Sequence, residues 1–153
     1  MEFVANLHPI VVHFPIAVFV LYSLSEITAL ILKKDWLGKI TIALLGIGVV
    51  SSIFGALTGS QAYTIIKPVL NSKEAVVEAT IIKHEQFATI TLWYFLFLLI
   101  LKTYLLIQKK QSQNWKIVFC ILSLVGIYFV YETSLLGGKL VYEFGVGTQL
   151  FNK

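Results

Sequence analysis

The chain has 153 residues, of which 58% are hydrophobic and 13% charged, and its net charge is +4. A soluble domain of this length buries about 70% of its unfolded surface and turns a polar remainder to water. Twelve lysines, eight carboxylates and no arginine are too few to coat that exterior. Composition therefore excludes a soluble globular enzyme, a nucleic-acid module and a disordered tail, and points to a small integral membrane protein in contact with lipid.

Lone residues narrow the chemistry further. Cys120 is the single cysteine, so no disulfide, CxxC pair or CxxCH haem-attachment motif is available, and Met1 is the single methionine. Glu2 sits where a signal peptide carries positive charge, and no small-residue cleavage site follows, so a cleavable leader is not expected.

In chain order, four apolar runs have the roughly 20 residues that a bilayer core requires: 9–32, 40–57, 81–107 and 117–136. Spanning segments must satisfy their own backbone hydrogen bonds, and alternating ten-residue strands are absent, so helices follow. Short connections make neighbours antiparallel. The expected fold is an all-α, up-down four-helix transmembrane bundle forming one domain over residues 1–153. Lys33, Lys34, Lys39, Lys102, Lys109, Lys110 and Lys116 fall on one side, and Lys67, Lys73, Lys83, Lys139 and Lys153 on the other. Seven against five places both termini outside by the positive-inside rule, in the periplasm if the membrane is the inner membrane of a bacterium.

Within the longer outer connection, Lys67-Pro68 reads as a turn and Asn71-Ser72-Lys73-Glu74 as a capping box. From there Val77, Ile81, His84, Ala88, Thr91 and Phe95 form one helical stripe. The third helix is thus expected to begin above the membrane. In the second span, Gly48-Ser52-Ala56 and Ser51-Gly55-Gly59 are small-xxx-small rows suited to close helix packing.

All three histidines lie in the outer layer: His8 and His13 at the start of span one, His84 at the start of span three. Ionisable groups within a span are costly and mark functional sites. On one straight helix His8 and His13 point about 140° apart, so they cannot share a metal. Pro15 lacks the N–H for the carbonyl of Val11 and should bend the helix beside His13. His13 and His84, each followed four residues later by an alanine (Ala17 and Ala88), suit the two axial positions of a b-type haem. His8, Thr58, Gly59 and the Gly137–Gly147 segment, including Gly138 and Tyr142, would shape the pocket. The competing reading gives these imidazoles a structural role, binding backbone carbonyls freed at the kink. Two histidines with no nearby thiolate make an incomplete zinc or copper site. Glu26, in the inner half of span one, is expected to pair with a lysine or, less simply, to relay a proton.

Leu7-His8-Pro9-x-x-Val12-His13-Phe14-Pro15-Ile16-Ala17, Thr58-Gly59, His84 and Gly137-Gly138-Lys139-Leu140-Val141-Tyr142 with Gly145-Val146-Gly147 together resemble a bacterial family of small predicted membrane proteins of unknown function. The resemblance implies four spans, and its association with c-type cytochrome modules implies electron transfer. Where many relatives carry a further histidine, this chain has Leu135 and Phe144, which leaves His13 and His84 as the expected pair. The functional expectation is a b-type cytochrome-like subunit in the bacterial inner membrane. It would exchange electrons with a periplasmic c-type cytochrome or a larger redox membrane complex, without substrate turnover. The alternative is a cofactor-free structural subunit of a respiratory or photosynthetic complex.

Overall fold

The computed structural model describes residues 2–70, 75–110 and 112–148. Five α-helices follow one another: α1 (Glu2–Val11), α2 (His13–Leu32), α3 (Asp35–Ile66), α4 (Ala75–Ile107) and α5 (Gln113–Tyr142). A 3₁₀ turn, Lys67–Val69, ends α3 at the expected Lys67-Pro68. The Asn71–Glu74 capping box lies outside the described residues. Among the described residues there is no strand. Four stretches are long and apolar enough to cross a membrane: Leu7–Leu32, Trp36–Ile66, Ala75–Ile107 and Gln113–Tyr142.

The helices overrun the expected spans. The third helical rod does begin well before its apolar stretch, and α5 continues through Gly137 and Gly138 to Tyr142 instead of stopping at Leu136. Within that extension Gly137 takes the ring of His84 against its backbone. The turn-forming glycines are Gly145 and Gly147, whose φ values of 70° and 78° are left-handed. Beside His13, where a bend was expected, the helix is interrupted at Val12, between α1 and α2, one turn before Pro15; Val12 itself keeps helical dihedrals, φ −67° and ψ −23°.

Large apolar side chains cover the outside of the bundle: Leu21, Leu24, Phe54, Trp93, Phe97, Ile121 and Tyr128 are all more than half exposed. Such a surface is stable only against lipid. The core is thin, centred on Phe19, Tyr22, Leu45, Phe95, Leu98 and Phe119. A satellite cluster of Val77, Ile81 and Leu140 joins the end of α3 to the start of α4 and the C-terminal turn.

Around the bundle, α2 packs on α3 and α5, and α4 on α3 and α5, so α2 and α4 stand diagonally. Across that diagonal Phe19 and Phe95 stack, with ring centroids 3.7 Å apart and planes within 8°. One turn-pair further along, Glu26 and Lys102 form a buried ion pair. Lys102 therefore belongs to the bundle interior and not to the loop that follows α4. This lowers the loop-lysine count on that side from seven to six.

The diagonal contacts reveal a repeat. His8, Phe19, Glu26 and Lys33 recur 76 positions later as His84, Phe95, Lys102 and Lys109. Lys33 and Lys109 both adopt a left-handed conformation, φ 53° and 54°, and each closes its helix. On the second helix of each hairpin, Gly48, Gly55 and Gly59 recur 78 positions later as Gly126, Thr133 and Gly137. Gly48 receives the ring of Phe19, and Gly126 receives that of Phe95. The molecule is thus two helical hairpins of the same direction, paired as in a two-fold dimer, with equivalent residues meeting on the shared axis.

Candidate functional site

At the end of the bundle that carries the termini, each hairpin presents one half-buried histidine. The His8 ring lies against Gly59, where a Cβ would stand 2.9 Å from its Cε1. Its Nδ1 is 3.0 Å from Thr58 Oγ1. The Thr58 hydroxyl donates to the carbonyls of Phe54 and Gly55, both at 3.0 Å, so its oxygen is left to accept and His8 Nδ1–H donates. The His84 ring lies against Gly137, where a Cβ would stand 3.2 Å from its Cε1. Its Nδ1–H donates to the carbonyl of Thr133 at 2.9 Å. A carbonyl can only accept, which fixes this tautomer.

The two arrangements are equivalent under the repeat. His84 binds the carbonyl of Thr133, and His8 binds the hydroxyl of Thr58, which itself donates to the carbonyl of Gly55, the residue equivalent to Thr133. Each imidazole is thereby pinned through Nδ1 to the second helix of its own hairpin and keeps an unprotonated Nε2. His8 and His84 are also within electrostatic range of each other. Below them, Thr91 and Thr133 share a hydrogen bond of 3.1 Å between α4 and α5.

Of the pair expected from the sequence, His84 is half-buried against α5, while His13 is turned outward. His13 is exposed, and its Nδ1–H donates to the carbonyl of Pro9 on the preceding turn. The physical reason is the helical angle: Val12 keeps helical dihedrals and its N–H still bonds the carbonyl of His8 at 3.1 Å, so residues five apart point about 140° from each other. It leaves His8 facing α3 while His13 faces out. Thr89, 76 positions after His13, is likewise exposed.

Other expected pocket residues divide in the same way. Thr58 and Gly59 contact His8 directly. Ala88 is half-buried one turn after His84, whereas Ala17 is exposed one turn after His13. Gly138 has only the Tyr142 ring near it, and Tyr142 itself is 90% exposed, so neither contacts an imidazole. Of the Gly137–Gly147 segment expected to shape the pocket, Gly137 does contact the His84 ring. Sequence reasoning missed Thr133, which the 78-residue repeat would have found as the match of Gly55.

The donor set tests which prosthetic group could sit here. Among the described residues no group of three or more His, Cys, Asp or Glu side chains could hold a metal ion. Zinc and copper sites need three or four protein ligands. Haem brings four ligands of its own and asks the protein for two. Two neutral imidazoles with Nδ1–H anchored and Nε2 free match that requirement.

The fold and these geometries define a multi-pass helical membrane protein with paired imidazoles at one end of the bundle. The family model for DUF2231, described as predicted membrane protein, matches residues 4–150, and the chain belongs to that family. No curated protein and no solved structure matches it.

Proposed function

We propose that this protein is a b-type cytochrome-like electron-transfer subunit whose haem is held by His8 and His84. The observation that carries this reading is the equivalence of the two imidazoles. They come from matching positions of two hairpins, each fixed by an Nδ1–H bond that orients the ring and raises the basicity of Nε2. Haem would supply reversible one-electron chemistry. Thr58 and the Thr133 carbonyl hold the ring orientations, Gly59 and Gly137 allow the close approach, and the apolar helices below exclude water. No residue here activates a nucleophile or moves a substrate proton, so no turnover is assigned. With the loop lysines facing the cytoplasm of a bacterial cell, the histidine end would meet a periplasmic c-type cytochrome or a larger redox membrane complex.

The test is a reduced-minus-oxidised absorption spectrum of protein purified from haem-replete cells. Wild type and His13→Ala should show the α and Soret bands of a low-spin b haem, while His8→Ala and His84→Ala lose them. His8→Met, which retains an axial ligand, should keep haem with a raised reduction potential. Helical circular dichroism establishes that each variant is folded. Folded wild type without bands overturns the proposal. It would leave His8 and His84 as clasps between helices, consistent with the two hydrogen bonds they make, and favour a cofactor-free structural subunit.

A further inference from the structure

The two hairpins, α1–α3 and α4–α5, resemble each other closely enough to raise the question of what pairs one with the other. On the shared axis His8 matches His84 and Phe19 matches Phe95. At those levels two first hairpins, or two second hairpins, would present the same side chains as the native pair. Farther toward the loop-lysine end the equivalent residues differ, and each difference is matched across the axis.

The first match is charge. Glu26 on α2 and Lys102 on α4 are equivalent positions, both buried, and they pair with each other. A partner hairpin of the same kind would set carboxylate against carboxylate, or ammonium against ammonium, inside the bundle, where like charges are most costly. The second match is hydrogen bonding. Ser23 Oγ donates to Ser123 Oγ at 3.1 Å, and Ser123 donates in turn to the carbonyl of Cys120 at 2.8 Å. Under the repeat Ser23 corresponds to Leu99, and Ser123 to Leu45. Leu99 packs against the apolar cluster that contains Leu45. Serine therefore meets serine at one seam between the hairpins, while both leucines join the apolar core at the other. Pairing like with like would set a buried serine against a leucine at both seams and remove its hydroxyl partner. The third match is the ring beside the ammonium. Lys102 Nζ stands 6.0 Å from the centroid of Tyr22, whose equivalent, Leu98, has no π face to offer a cation.

We infer that these matched differences select the partner of each hairpin. The inward face of α2, with Phe19, Tyr22, Ser23 and Glu26, accepts an α4–α5 hairpin of this chain, whether from the same copy or from a second one, and rejects another first hairpin. Selectivity comes from the cost of the wrong pairing, because desolvation offsets much of the attraction within the right one. The matching histidines and phenylalanines supply no such choice.

The experiment uses full-length chains with about ten glycine and serine residues inserted between Ser72 and Lys73, so that hairpins of two copies can reach each other. One chain carries Glu26→Lys and the other Lys102→Glu, with different affinity tags, and both are expressed in the same cell. Each is mismatched within itself, but the two match if they exchange hairpins. Purified on one tag in a non-ionic detergent, this pair should retain the other chain roughly ten-fold more than two differently tagged wild-type chains do. Each variant should also accumulate to a higher level with the other than alone. The chain carrying both substitutions, matched within itself again, should behave as wild type. Retention of the mixed pair no greater than that of wild type overturns the inference. Equal retention between two copies of Glu26→Lys does so too, since it would mark aggregation of destabilised protein. Failure of the two variants to accumulate even together is equally decisive against it, because exchange would have restored both.

Discussion

Gly59 and Gly137 decide how closely the histidines approach the neighbouring helices. A methyl group at Gly59 would stand 2.9 Å from the His8 ring, and at Gly137 3.2 Å from that of His84. Gly59→Ala should therefore displace His8 and lower stability by about 1–3 kcal/mol, the usual cost of overpacking, with Gly137→Ala milder. Gly46, where an added methyl group would meet nothing within 4 Å, is the control. Gly46→Ala should be neutral or raise the melting temperature, since alanine is the better helix former. Melting followed by helical circular dichroism ranks the three. If Gly59→Ala melts no lower than Gly46→Ala, the close approach of His8 is not what requires glycine there. A second residue-scale prediction concerns the ion pair. Glu26→Gln leaves Lys102 buried without its counter-charge and should cost about 3–5 kcal/mol. Because the two positions are equivalent across the axis, Glu26→Lys combined with Lys102→Glu should recover most of that loss, which the same melting curves measure.

Each hairpin pins its own histidine and places its own phenylalanine on its own glycine. The halves are joined by the packing of α2 on α5 and of α3 on α4, together with the Phe19–Phe95 stack, the ion pair and the Ser23–Ser123 hydrogen bond of 3.1 Å. Residues 1–72 and 73–153 expressed as two chains in one cell should therefore assemble, and an affinity tag on one should retain the other. Phe19→Ala should reduce that retention sharply; retention unchanged by Phe19→Ala would mean that the stack does not hold the hairpins together. At this scale the sequence was legible wherever apolar length decides structure: four rods and their order follow from hydropathy. Which histidine faces inward was not legible from one helix alone. The 140° separation of His8 and His13 says that only one can do so, but the choice depends on how α1 docks against α3. The pairing of Glu26 with a lysine was expected; its identity as Lys102 was hidden because that lysine reads as part of a loop.

For the whole molecule, the two ends carry different chemistry, and sidedness gives that difference its meaning. With Lys102 removed to the interior, six loop lysines face five at the other end, a bias of one by charge counting alone. The distribution adds weight: Lys33, Lys34, Lys109 and Lys110 lie in two short connections, and Lys39 and Lys116 near the starts of α3 and α5 that follow them, the placement that governs insertion. Lys67, Lys73 and Lys83 are accompanied by Glu74, Glu78 and Glu85, but carboxylates contribute little to the rule, so concentration and not net charge is the deciding property. The lysine end should accordingly be cytoplasmic. In a Cys120→Ser background, Tyr142→Cys, at a position 90% exposed, should react with a membrane-impermeant maleimide in intact spheroplasts. Lys109→Cys should react only after permeabilisation. The reverse pattern would turn the histidine end toward the cytoplasm. A haem there would lie beyond reach of a periplasmic cytochrome, so this single measurement decides whether the proposed electron exchange is open to it.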